Sequence, residues 1–313
     1  MFLNSSNENG IEEYEALTTH LVRLATLFAF HNLTSYNLWS TMEDLVQHGL
    51  EQQNSEVWKP SLLCCHYSIL WNFRLSQLSP TMLQKRLNSH RKLCITAMVE
   101  HTEMAKEAFT SLCDLLLLLG HMQPPAHKTS VFLKIDRNTI DQMVQFLETK
   151  VLPPAIDENQ EMLSEQRSMF ASFCKLITNN IFPVSSFVPI LRRMTSIQNH
   201  LGDIVSNVID ELKRTSFSLC SRLIVQTLSS GLLEMGLVQR DSEEMASLRD
   251  LARKLCLALG PVSRSEKEAL VDLHRQGIEM ATAQPGERGE LLLLHLLEDF
   301  IPGLVTKDRK VNL

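Results

Sequence analysis

Apolar residues recur along almost the whole chain at a helical period near 3.6. Leu17, Leu21, Leu24, Leu27 and Phe28 show the rhythm, at i, i+4, i+7, i+10 and i+11. Further amphipathic segments follow at roughly 35–52, 58–78, 80–99, 103–121, 136–151, 159–181, 184–200, 202–212, 214–235, 242–260, 263–283 and 288–301. The pattern predicts about thirteen helices. Their stops have local causes. Ser79 before Pro80 reads as an N-cap followed by proline in the first turn. Gly120 and then Pro124-Pro125, and again Pro153-Pro154, forbid continuation. Gly260-Pro261 after Arg253-Lys254 is a helix C-terminus, and Ser263 with Glu266 resembles a capping box. Gly202 reads as the entry to a new helix, with Asp203 in its first turn. No alternating strand or hairpin signal stands between apolar runs.

Helices of this length joined by short turns imply antiparallel pairs. Pairs at 40–47 residues are the period of HEAT or armadillo arrays. The expected fold class is therefore all-α, an α-solenoid of antiparallel helix pairs over residues 16–303. Residues 1–15 are expected to be a disordered N-terminal tail, and 304–313 a C-terminal tail. Two polar or proline-bearing inserts, 122–135 and 153–160, are expected as surface loops. The core should hold Leu24, Phe28, Leu70, Trp71, Phe109, Leu112, Phe173, Leu176, Ile204, Leu223, Leu251, Leu255 and Leu273.

Composition sharpens this picture. Gly and Pro, 11 each in 313 residues, are too few for a turn-rich β fold. The net charge of −6 argues against a protein that coats nucleic acid over its whole surface. The seven cysteines are an odd number, set mostly inside apolar helical runs. They read as buried thiols of a reducing compartment, with Cys64, Cys113 and Cys174 unpaired. No apolar run approaches the ~20 residues of a membrane span, and the polar N-terminus has no signal-peptide core.

Catalytic patterns are missing. There is no His-Glu-x-x-His, no Cys-x-x-Cys, no glycine-rich phosphate loop and no Gly-x-Ser-x-Gly. Cys64-Cys65-His66 is the one Cys/His cluster, and adjacent helical residues point about 100° apart, so it cannot converge on a metal. The acidic pairs Glu12-Glu13, Glu243-Glu244 and Glu298-Asp299 read as solvated carboxylates. Neither enzyme activity, cofactor nor metal is expected. Among several basic clusters, Lys85, Arg86, Arg91 and Lys92 form the densest, a candidate for phosphate contacts with DNA.

Longer stretches are more specific. Leu63-Cys64-Cys65-His66-Tyr67-Ser68-Ile69-Leu70-Trp71 resembles the Gln-Cys-Thr-His-Tyr-x-Ile-Leu-Trp helix of the stromal antigen subunits of cohesin. Lys106-Glu107-Ala108-Phe109-Thr110-Ser111-Leu112-Cys113-Asp114 is similar to that family's Lys-Glu-x-Ala-Phe-x-x-Leu-Cys-Asp, with one residue fewer. Phe173-Cys174-Lys175-Leu176-Ile177, Gly202-Asp203-Ile204-Val205, Leu251-Ala252-Arg253-Lys254 and Leu273-His274-Arg275-Gln276-Gly277-Ile278-Glu279 follow in family order. The resemblance runs over roughly 20–301 and corresponds to the middle-to-C-terminal part of the family's solenoid. Two departures stand out: the family's acidic insert near 153–165 is reduced to Asp157–Glu161, and its lysine after Gly-Asp-Ile-Ile is Ser206. Divergence of this size suggests a divergent or meiotic paralogue.

The resemblance implies a HEAT-repeat scaffold without catalysis, nuclear and chromosome-associated. Its implied partner is the cohesin kleisin subunit, and through it the cohesin ring, with DNA met through local basic patches. Sister-chromatid cohesion and chromosome segregation would be its role. Asp203, inside one of the best-matching motifs, is the expected kleisin contact. No membrane or small-molecule partner is implied. The alternative is a HEAT-type adaptor outside cohesin, a transport or phosphatase scaffold.

Overall fold

The computed structural model describes residues 8–75, 78–101, 103–120, 135–152, 160–235, 243–260, 267–282 and 288–300. Among them there are helices and turns and no strand, so the fold class is all-α. The Ser263–Glu266 box, the C-terminal tail and nearly all of both expected inserts lie outside the described residues. The expected segment 16–303 divides into two compact units, Met1–Phe146 and Leu147–Leu313.

Unit 1 contains α1 (Glu8–Phe30), a 3-10 turn (Thr34–Tyr36), α2 (Trp39–Glu51), α3 (Ser55–Leu75), α4 (Pro80–Glu100), α5 (Ala105–Gly120) and α6 (Arg137–Phe146). Helix α1 begins at Glu8, so the expected tail 1–15 is helical from there on. The α4 start follows its sequence signals: Ser79 Oγ accepts from the Met82 N–H (3.3 Å), and Pro80 sits in the first turn. Asp136 caps α6, accepting from the Thr139 N–H (2.8 Å). Helix α2 packs on α3, α1 on α3, and α4 on α5. The α2–α3 approach is close at Gly49, where an added Cβ would stand 2.8 Å from Trp58 Cβ and 3.0 Å from Trp58 Cα. Glycine is there because nothing larger fits over the fully buried Trp58. Ile69, Leu83, Leu87, Leu115 and Leu119 form one apolar cluster, against which Trp39, Leu70, Phe73 and Leu78 pack.

Unit 2 opens with a π-helical turn (Leu147–Val151) and continues with α7 (Gln160–Thr178), a 3-10 turn (Val184–Phe187), α8 (Val188–Arg192) and α9 (Met194–Thr215). Helices α10 (Phe217–Met235), α11 (Glu243–Leu259), α12 (Lys267–Thr282) and α13 (Arg288–Leu297) follow, then a 3-10 turn (Glu298–Phe300). Helix α7 packs on α9, α9 on α10 and α11, and α12 on α10 and α13. Phe173 meets Phe182 edge-on at 5.7 Å, and Phe170 stacks on Phe187 at 6.4 Å. Gly260 ends α11 at φ 64°, a left-handed C-cap.

One expected boundary is wrong. The break falls at Arg193, and Gly202 is a buried residue in the interior of α9. Pro183 and Pro189 mark the starts of the 3-10 turn and of α8, and α8 closes where the Arg193 N–H turns back to the Ile190 carbonyl (3.0 Å). Of the expected core, Phe28, Phe109, Leu112, Phe173, Leu176, Leu223, Leu251, Leu255 and Leu273 are buried. Leu24, Leu70, Trp71 and Ile204 are half-buried. Among the described residues no disulfide joins any of the seven cysteines, and all but Cys256 are buried.

Candidate partner-binding site

Two of the family-like motifs meet in unit 2. Phe173-Cys174-Lys175-Leu176-Ile177 lies on α7 and Gly202-Asp203-Ile204-Val205 on α9, and these helices pack together. Phe173, Leu176 and Ile177 turn into the core, with Val205 from the other side. That leaves Cys174, Lys175 and Ile204 bordering an open groove of about 380 Å³, also lined by Ala171, Thr178, Asn207, Val208 and Glu211. Its floor is apolar and its rim polar. Lys175 is exposed on that rim. Glu211 is engaged by Arg214 one turn on.

Asp203 bridges the same two helices. Arg167 of α7 donates from Nη1 to Asp203 Oδ1 (3.0 Å) and from Nη2 to Oδ2 (2.5 Å). Arg167 also donates to the His200 carbonyl. This two-pronged bond holds the Asp203 carboxyl below its ordinary pKa and raises that of Arg167. Asp203 is therefore not an N-cap: it stands mid-helix, where no backbone N–H lacks a partner. Both side chains are well exposed, 42% and 60%, so the pair adds at most about 1 kcal/mol of stability. Sequence reasoning missed Arg167. It is an isolated cation 36 residues from its partner, and only α7–α9 packing joins them.

The basic quartet on α4 separates into two pairs. Arg86 turns inward, its guanidinium 4.9 Å over the Trp39 ring, and burial lowers its pKa. Arg91 is ion-paired with Asp136 (3.3 Å). Lys85 and Lys92 are exposed and lie two helical turns apart on one face. The expected four-cation patch is thus two lysines, because the arginines are used in packing α4 against its neighbours.

Unit 1 also holds a buried polar group. His66 Nδ1 of α3 and His90 Nε2 of α4 lie 2.9 and 2.8 Å from the Ser111 hydroxyl of α5. His90 Nδ1 is buried without a partner. Ser111 has one proton. No N–H at these contacts is stranded if His90 Nε2–H donates to Ser111 and Ser111 donates to His66 Nδ1. Burial holds the His66 pKa down at about 4 and, with His66 beside it, that of His90 at about 3. Burial also pushes the Cys64 and Cys94 thiols up to about 12. Neutral imidazoles and protonated thiols without solvent access make a structural network, not a nucleophile. Among the described residues no three His, Cys, Asp or Glu side chains are arranged to hold a metal ion.

Fold and site together define a helical-repeat protein. Residues 1–71 match the HEAT-repeats domain of cohesin subunit SCC3/SA, and residues 218–313 match the STAG protein C-terminal domain. The two matches lie in one family and together cover more than half of the chain. The chain is 25% identical to cohesin subunit SA-1 of Xenopus laevis, over 98% of this chain and 27% of that protein. It is 24% identical to cohesin subunit SA-3 of Homo sapiens, over 99% of this chain and 28% of that protein. With cohesin subunit scc-3 of Caenorhabditis elegans the identity is 22%, over 88% and 27%. This chain belongs to the stromal antigen (SCC3/SA) family of cohesin subunits. It spans about a quarter of the length of these relatives.

Proposed function

We propose that the chain is a non-catalytic scaffold within cohesin. It binds the kleisin subunit and so joins the ring on chromosomes in the nucleus, in support of sister-chromatid cohesion and chromosome segregation. The observation that carries this reading is the meeting of two family-like motifs at the α7–α9 groove, beside Asp203. An apolar floor with a mixed-charge rim suits a partner segment that buries aliphatic side chains and pairs its charges at the edge. Asp203 is the candidate acceptor for a kleisin Lys or Arg, which would share or displace the Arg167 guanidinium. DNA contact, the weaker part of the reading, falls to Lys85 and Lys92.

The test is a titration of the purified chain with purified kleisin fragments, followed by light scattering on the complex. Stoichiometric binding is the expected result. Absence of binding by a folded chain, across fragments that together span the kleisin, would refute the reading.

A further inference from the structure

One end of unit 1 carries aromatic side chains that its own core does not take up. Tyr14, early in α1, bonds Asn54 (2.9 Å) at the start of α3. Trp71, late in α3, donates from Nε1 to the Phe28 carbonyl late in α1 (2.7 Å). These two ties make α1 and α3 parallel, with their C-terminal ends together. At that end Phe30 is 74% and Tyr36 70% exposed, and Leu27 and Leu75 are about half exposed. The half-buried Trp71 ring lies under the Arg74 guanidinium at 5.7 Å. Arg23 shares a face of α1 with Phe30, two turns before it.

The charge there is one-sided. The sequence holds no Asp or Glu from Ala16 to Met42 or from Val57 to Val99, while the same stretches hold seven Lys and Arg. Arg23 and Arg74 are exposed, and no carboxylate pairs with either among the described residues. Arg23 lines a cavity with Glu15 and Glu56, so the cation of this end is Arg74. Exposed Phe30, Tyr36 and Leu75 beside an arginine with no paired carboxylate is the composition of interface hot spots and not of ordinary solvated surface.

We propose that this end of unit 1 docks an acidic protein segment. Its aromatic or aliphatic side chains would pack on Phe30, Tyr36 and Leu75, and its carboxylates would meet Arg74. A protein segment is favoured over single-stranded nucleic acid because the anchors include aliphatic Leu27 and Leu75, which offer nothing to a stacked base. The surface is built from unit 1 residues and the Asp203 groove from unit 2 residues, so the inference does not rest on the kleisin reading.

The test uses the full chain and fluorescence anisotropy with three labelled probes. These are a peptide of four Asp-Phe-Glu-Ser repeats, the same peptide with Phe replaced by Ser, and an oligothymidylate of similar charge. The Phe peptide should bind at least about tenfold more tightly than the Ser peptide. The Phe30→Ser, Tyr36→Ser double variant should lose that advantage, and Arg74→Glu should weaken binding by a similar factor. Both variants change exposed side chains, and an unaltered thermal midpoint would verify their folding. Equal affinity for the two peptides, or a double variant that binds like the parent, would overturn the proposal. Tighter binding of the oligothymidylate than of the Phe peptide would also overturn it and assign the surface to single-stranded nucleic acid.

Discussion

Acidification should loosen unit 1 before carboxylate titration begins, through His66 and His90. Both have folded-state pKa values below the ordinary 6.5, at about 4 and about 3. Between 6.5 and those values the unfolded chain binds more protons than the folded one. The sign follows: the stability is fully present above pH 6.5 and is lost as pH falls toward the folded values. At pH 5.5 each histidine costs up to about 1.4 kcal/mol, or roughly 3 kcal/mol for the two, an upper figure because buried sites relax. Against a typical total of about 5–15 kcal/mol, that shift is large. All three tryptophans, Trp39, Trp58 and Trp71, lie in unit 1, so urea unfolding followed by tryptophan fluorescence reports this unit. The midpoint should fall clearly from pH 7.5 to pH 5.5. In a His66→Gln, His90→Gln double variant most of that fall should disappear, whatever its stability at pH 7.5. An equal fall in parent and double variant would refute the reasoning. Ser111→Ala should cost about 1–3 kcal/mol or more at neutral pH, because it strands two imidazole nitrogens, His66 Nδ1 and His90 Nε2.

Other outcomes follow from the packing. Gly49→Ala should lower unit 1 stability by about 1–3 kcal/mol in the same fluorescence assay, since its Cβ would meet Trp58 backbone and Cβ. Asp136→Ala should cost about 1 kcal/mol by loss of the α6 cap; an unchanged urea midpoint would contradict the cap. If Lys85 and Lys92 are the duplex contacts, log affinity should fall with log salt at a slope near −1.8, about −0.9 for each phosphate met. A slope near −3.6 would mean that Arg86 and Arg91 leave their intramolecular partners to bind.

Much of the fold was legible because its signals are local. Ser79-Pro80 and Gly260 act through the backbone of their own turn, and the 3.6 period places Phe109, Leu112, Phe173 and Leu176 inward. The misread boundary at Gly202 shows the limit. A glycine inside a helix costs only about 1 kcal/mol, and the packed α9 absorbs it, so glycine alone does not end a helix. The site was legible in part. Asp203 could be singled out by its motif, but not its guanidinium partner, because Arg167 reaches it only across the α7–α9 packing. For the same reason the basic quartet looked uniform in sequence. Trp39 and Asp136, which take up Arg86 and Arg91, lie 47 and 45 residues from them.

The most direct measurement is kleisin affinity in a charge series at the α7–α9 groove. Asp203→Lys removes the acceptor and sets a second cation beside Arg167. Arg167→Ala frees Asp203 without removing it. If Asp203 meets a kleisin cation at a desolvated contact, Asp203→Lys should weaken binding by about 2 kcal/mol or more, roughly thirtyfold. Arg167→Ala should then leave affinity equal or stronger, since the competing guanidinium is gone. Calorimetric titration reads both, with circular dichroism as the check on folding. A folded Asp203→Lys chain that binds kleisin as tightly as the parent would contradict the assignment and leave Asp203 as an internal brace of α7 on α9.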